Sequence, residues 1–265
     1  MKRRSAAADL RKKAHDRHRR KGLADAVSLY ADAVRALEAE DKADDAIAML
    51  NEALANGGHS DSTAHQQREL RRLLAGLLAR ERRIGDAIGE YEELLKNGTP
   101  DAQSLLALAQ LYVGVGKTNL AIDRLRRAVD RSIAEGEIAD AARAAGRIAE
   151  LMPDSIEAAT QHASLLRNIS DEGLVAVLER LAVMHRAAEK LSAEVAVCRE
   201  ILTLAPGRDD IKKRLASLYT RILEMDPHDD DAWQGLRVLD HDLADQVAVL
   251  LMDDLHQARP HSKAG

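Results

Sequence analysis

Small residues recur along this 265-residue chain at a spacing of 34. Ala75 and Ala109 are 34 apart, and so are Ala87 and Ala121. Val129 and Ala163 repeat the interval, as do Ala182 and Ala216. A fixed period of this length is that of one helix–turn–helix unit, which cannot bury its apolar face alone and stacks on its neighbours. A stack of such units makes an extended concave surface rather than an enclosed pocket.

Composition agrees. Hydrophobic residues are 46% of the chain but aromatics only 2%, with no Phe, so a core must be built from Ala, Leu, Val and Ile. Such small residues let helices approach closely. They do not suit a protein that stacks bases on aromatic rings. Apolar positions fall at i, i+3, i+4 and i+7, the helical period, and strand patterns are nearly absent. Cys198 is the single cysteine, which rules out an internal disulfide framework and a cysteine-based zinc site. Its setting, Glu194-Val195-Ala196-Val197, reads as a helix core face and predicts a buried, inert thiol. No run approaches the roughly 18 apolar residues of a membrane span. The charged N-terminus has no apolar stretch behind it, so neither a secretory nor a twin-arginine signal is expected. The expectation is a cytoplasmic protein, in which the sequons at Asn97 and Asn168 are chance matches. The Ala-, Arg- and Asp-rich composition points to a bacterial source by association.

The clearest unit runs from about Asp101 to Asp130. Leu105, Leu108, Ala109 and Tyr112 share one face of its first helix, Gly116 makes the turn, and Ala121, Leu125 and Ala128 share a face of the second. The unit before it has the same frame in Leu74, Ala75, Leu78, Ala87, Tyr91 and Leu94. Tyr30, Ala33, Leu37, Ala46, Leu50 and Ala53 fit again. Val34 and Ala75 are 41 apart, the excess falling in the polar loop from Asn56 to Ser62. These small, large and turn positions resemble the tetratricopeptide repeat. The resemblance spans roughly residues 23 to 257 and implies an all-α fold, an α-solenoid of stacked antiparallel helix hairpins wound as a right-handed superhelix. The expected count is 13 or 14 helices.

The frame slips twice. Ala109 and Val129 are 20 apart, and Ala163 and Ala182 are 19 apart, in each case the length of one helix and a turn. The second helix of one unit then doubles as the first of the next. Gly136, Ala141, Ala145, Ile148 and Pro153 continue in the shifted frame, and repeat ends recur at Pro206 and Pro227. Trp233 and Leu236 open a final hairpin. Cap chemistry adds boundaries: Thr99 before Pro100, Asp154 with Glu157 as a capping box, and Asp229-Asp230-Asp231 at a helix start. Gly22, Gly98, Gly116 and Gly136 are predicted turn residues.

Three features invite a chemical reading. Gly114-Val115-Gly116-Lys117-Thr118 matches the end of a phosphate loop, but Leu111 stands where its first glycine belongs and a helix precedes it instead of a strand. His228 with Asp229, Asp230 and Asp231, and His241-Asp242, lack the spacing and glycine of a calcium loop, and helix capping explains the acids. His59 and His65 do not share a helical face. No catalytic signature stands out, so no enzyme activity, cofactor or metal is expected.

The third feature is charge. Residues 1–22 carry ten cations, Lys2, Arg3, Arg4, Arg11, Lys12, Lys13, Arg17, Arg19, Arg20 and Lys21, against Asp9 and Asp16, a net of +8. The chain as a whole is −5, leaving −13 on residues 23–265. This basic arm or helix is either a solvated, frayed tail or a contact for an acidic partner, nucleic acid or anionic lipid. Its alanines and Leu10 give it little apolar surface. Between Glu224 and His256 there are ten acids and one base, Arg237. Head-to-tail association of the basic arm with that acidic end of a second copy is a further expectation.

The division expected is therefore 1–22 basic arm, 23–257 solenoid, and 258–265 disordered tail. By resemblance, a protein or peptide partner of unknown identity lies along the concave face lined by first helices. That places Glu69, Arg72, Gln103, Leu106, Gln110 and Val113 in the groove, with Asp210, Lys213, Ser217 and Arg221 at the equivalent places of a later repeat. The positions that carry Asn in the chaperone-binding members of the family are not Asn here. The chain is read as a non-enzymatic interaction scaffold or adaptor. The alternative is a nucleic-acid-associated accessory protein using the basic arm.

Overall fold

The structure is a computed structural model and describes residues 6–56, 63–96 and 101–257, the last six of these by backbone alone. Lys2, Arg3, Arg4, His59, the Asn97 sequon, Gly98, the Thr99–Pro100 cap and the tail 258–265 lie outside the described residues.

Fourteen helices and no strand occur among the described residues. The fold is an all-α solenoid whose chain forms two compact units, Met1–Ala144 and Ala145–Gly265. The first holds α1 (Ala6–Lys21), α2 (Val27–Ala39), α3 (Ala43–Asn56), α4 (Ala64–Arg80), α5 (Ile84–Lys96), α6 (Ala102–Gly114) and α7 (Thr118–Glu135). Helix α8 (Ile138–Leu151) runs across the division. The second unit continues with α9 (Ile156–Asn168), α10 (Leu174–Ala187), α11 (Leu191–Leu204), α12 (Asp209–Met225), α13 (Asp230–Leu239) and α14 (His241–Gln257).

The turns make the period. Four short links put their middle residue in the left-handed region: Asp41 (φ 56°), Arg82 (φ 59°), Gly116 (φ 73°) and Glu189 (φ 54°). In each, the next N–H donates to a carbonyl of the preceding helix: Lys42 to Leu37 and Arg83 to Leu78 at 2.9 Å, Lys117 to Tyr112 at 2.8 Å, and Lys190 to His185 at 2.9 Å. This closure satisfies carbonyls that the helix end leaves without partners. Gly136 (φ 79°) and Ser170 (φ 51°) close α7 and α9 in the same manner. Arg82 and Gly116 are 34 apart, Gly116 and Gly136 are 20 apart, Gly136 and Ser170 are again 34 apart, and Ser170 and Glu189 are 19 apart. The two slips read from the alanines are thus slips of the turns themselves.

In the first unit each helix packs on the next, and α2 also touches α4 and α4 touches α6. Ala33, Ala75 and Ala109 are all buried, and so are Leu74, Leu105 and Leu108 beside them. An alanine keeps the helix axes close, while each buried leucine contributes about 2 kcal/mol of transfer free energy. Tyr112 and Leu125 are buried in the α6–α7 hairpin, as the repeat pattern requires. In the second unit the contacts again run from each helix to the next, α9 through α14.

Three expectations change. The N-cap of α9 is Ser155, whose hydroxyl accepts the N–H of Ala158 at 3.1 Å, and not Asp154. Ser155 is the residue with extended backbone just before the helix, so Glu157 falls one position short of the capping-box site. The basic arm is no frayed tail from Ala6 onward, because α1 docks on α2 with Ala7 and Ala14 fully buried. Two alanines a pair of helical turns apart suffice to let one helix lie flat on another. Asp229 caps α13 by accepting the N–H of Ala232 at 2.8 Å, with Asp230 and Asp231 in the first turn as expected. Asp101 does the same for α6 through Ser104, so the cap of that helix is Asp101 where Thr99 was expected.

Candidate partner-binding faces

The expected groove residues fall on two helix faces, one in each unit. On α4 and α6, Gln103 and Gln110 are exposed, and Leu106 and Val113 are half-buried beside them. Glu69 and Arg72 are occupied otherwise. Arg72 donates to Asp101 at 3.1 Å and stands 3.8 Å from Glu69, so this pair ties α4 to the cap of α6. Burial raises the Asp101 carboxyl, but hydrogen bonds from Ser104 and the charge of Arg72 outweigh it and hold the group below its ordinary value. What this face offers a partner is two amides and two aliphatic side chains.

On α12, Lys213, Ser217 and Arg221 follow at helical spacing and all are exposed. They line a cavity of ≈ 550 Å³ whose other wall includes Leu239, Asp240 and Leu243, with Thr220 and Glu224 also in its lining. Among the described residues neither Lys213 nor Arg221 is held in an ion pair. Asp210, expected on the same face, does not line this cleft. Arg208 grips it at 2.8 and 2.9 Å, and that hydrogen bonding lowers its pKa to about 2. Arg208 also bonds Glu179 on α10, so it and Asp210 fasten the entry to α12. Two cations, a hydroxyl and an apolar wall can hold a segment that brings a carboxylate and an aliphatic side chain together.

The phosphate-like loop resolves as a helix link. Gly114 ends α6, Gly116 is the left-handed turn residue, and Lys117 precedes α7 with its side chain exposed. The basic arm contributes Arg11, Lys12 and Arg19 to one side of a groove along α1, while Lys13, Arg17, Arg20 and Lys21 are placed elsewhere on that helix.

The sequence missed the polar pins between helices. Glu92 on α5 accepts from the Tyr112 hydroxyl at 2.6 Å and from Arg124 at 3.0 Å, joining α5, α6 and α7. Glu194 on α11 is buried and accepts from Arg186 on α10 at 3.0 Å and from Arg214 on α12 at 2.8 and 3.2 Å. It also missed a mixed cleft of ≈ 530 Å³ in the second unit, lined by Leu202, Leu215, Tyr219, Val238 and Leu239 together with Arg199, Asp231 and Gln234. Cys198 is fully buried, and burial pushes its thiol up.

Among known structures, BtubC (BKLC) from P. vanneervenii aligns with 76% of this chain and 90% of its own, at 17% identity and a TM-score of 0.53. The C-terminal part of a TPR repeat-containing protein from Cytophaga hutchinsonii aligns with 88% of this chain and 95% of its own, at 14% identity and 0.36. YrrB, a TPR protein with an unusual peptide-binding site, aligns with 92% and 99%, at 17% identity and 0.37. Only the first score is high enough to bear on the fold. It joins the recurring spacing of the turns and the contacts of α2 with α4 and α4 with α6. The chain is a tetratricopeptide-like solenoid. No family model and no curated protein matches the sequence. Among the described residues, no helix is long and apolar enough to cross a membrane.

Proposed function

We propose that this chain is a non-enzymatic interaction scaffold that holds a peptide or protein segment on its first-helix faces. The observation that carries the reading is the stripe of Lys213, Ser217 and Arg221 on α12, open to a cleft walled by Leu239 and Leu243. The Gln103, Leu106, Gln110 and Val113 face of the first unit supports it with a second, uncharged contact. Each face favours modest contacts, with any large single contribution confined to the α12 cleft.

The test uses the intact chain and a Lys213→Glu/Arg221→Glu variant as parallel baits in lysate of the source cell. A specific protein retained by the intact chain and reduced at least tenfold by the variant supports the reading. Retention of the same proteins at equal levels by both baits contradicts it.

A further inference from the structure

A further groove of the first unit lies on neither of those faces. It is a cleft of ≈ 1040 Å³ running along α1 and walled opposite by Glu52 and Asn56 of α3 and by Thr63. Ala8, Arg11, Lys12, His15, Asp16, Arg19 and Gly22 recur at helical spacing along its near wall. From Ala8 to Gly22 is about 21 Å at 1.5 Å per residue. An extended peptide covers that length with about six residues.

Charge along the cleft is segregated. Arg11 and Lys12 stand at one end and Arg19 toward the other, about 12 Å along the helix from Arg11. Asp16 and Glu52 occupy the middle, where Glu52 is 3.7 Å from His15. Among the described residues none of the three outer cations is held in an ion pair. Tyr30 is buried beneath, with its hydroxyl 3.1 Å from His18 Nδ1 and 3.4 Å from His15 Nδ1, so α1 is pinned in place without using those cations.

We propose that this cleft binds an acidic peptide segment of a partner protein, in extended form, with two carboxylate side chains four residues apart and uncharged residues between. Side chains four apart in an extended strand point the same way and are about 13 Å from each other, close to the distance between the two cationic ends. The acids in the middle exclude charge there. A nucleic-acid backbone places a phosphate at every step, so it would set charge against Asp16 and Glu52. Among the described residues no Tyr or Trp lines the cleft to stack a base, and the rings of His15 and His18 are set against Tyr30.

The probes are fluorescein-labelled Ser-Glu-Ser-Ser-Ser-Glu-Ser, its isomer with both glutamates central, and single-stranded DNA of seven nucleotides. Binding of each to the full chain is followed by fluorescence anisotropy at two salt concentrations. The spaced peptide is expected to bind at least fivefold more tightly than its isomer. Arg11→Glu and Arg19→Glu should each weaken it about tenfold, and Lys13→Glu on the outer face of α1 less than threefold. Circular dichroism of each variant confirms that it folds. Lys213→Glu/Arg221→Glu should leave this binding unchanged, so failure here and failure of the α12 reading are separable. Equal binding of the two peptides, or tighter binding of the DNA, overturns the proposal. Self-association of the chain that is lost in Arg11→Glu, with no binding of the spaced peptide, also overturns it and makes a second copy the occupant.

Discussion

Arg214 on α12 donates two hydrogen bonds, at 2.8 and 3.2 Å, to the buried carboxylate of Glu194 on α11. Arg186 on α10 adds a third at 3.0 Å, so one carboxylate fastens three consecutive helices. Burial alone would raise the Glu194 carboxyl, but the two guanidinium groups overcome it and hold the group below its ordinary value. Glu194→Ala leaves two arginines without their partner and should cost roughly 3 kcal/mol in a urea titration. Replacing Glu194, Arg186 and Arg214 together by Leu or Met should recover most of that loss, because a buried ion cluster contributes less than its removal costs. Equal loss in the single and triple variants would show that the cluster itself supplies the stability.

Three histidines set a response to acid. Burial lowers the pKa of His18, His162 and His185 below 6.5, helped for His18 by His15 and for His185 by Lys190. The folded chain therefore binds fewer protons than the unfolded chain in this range. Stability is complete above pH 6.5 and falls as pH drops through the lowered values. The melting temperature should decline as the pH is taken from neutral to about 5 in a series of circular dichroism melts. His162→Asn should flatten that decline. A melting temperature constant over that range contradicts the assignment.

Tyr219 leaves no room at Gly235. A Cβ at position 235 would collide with Tyr219 Cζ, and the ring is held because its hydroxyl accepts from Arg199. Gly235→Ala should cost about 1–3 kcal/mol through overpacking between α12 and α13. Adding Tyr219→Leu should restore part of it, giving a favourable coupling in a double-mutant cycle.

Two glycines in one loop should respond oppositely. Gly116 lies at φ 73°, whereas Gly114 is the last residue of α6 and has open space around it. Gly116→Ala is expected to cost about 1–2 kcal/mol, the left-handed penalty of a side chain. Gly114→Ala should be neutral or stabilise by up to about 1 kcal/mol, since helical alanine is favoured over glycine. Urea midpoints separate the two.

The fold was legible where the sequence repeats and opaque where it relies on chance spacing. Ala75, Ala109, Ala163 and Ala182 mark helix contacts that only a small side chain permits, so their intervals carry the turns with them, including both slips. The turns at Asp41, Arg82, Ser170 and Glu189 carried no such mark, because residues other than glycine hold the left-handed position there. Glu194 and its two arginines are spread over three helices at unrelated spacings, and no sequence pattern links them. On α12 the face of Lys213, Ser217 and Arg221 could be placed from helical spacing alone. Its cleft could not, since Leu239 and Leu243 arrive from α13 and α14. Asp210 shares that face by helical spacing, but its bond to Arg208 could not be read from the spacing. On α1 the charges hid the part that docks, which is two alanines.

The most direct test of the scaffold reading is site-specific photo-crosslinking in the source cell. A benzophenone amino acid is placed singly at Gln110 or Ser217 on first helices, and at Ala48 of α3 or Ala196 of α11 on second helices, all exposed positions. One discrete cross-linked partner is expected from Gln110 or Ser217 and none from Ala48 or Ala196. Cross-links to that partner from Ala48 and Ala196 alone would contradict the scaffold reading.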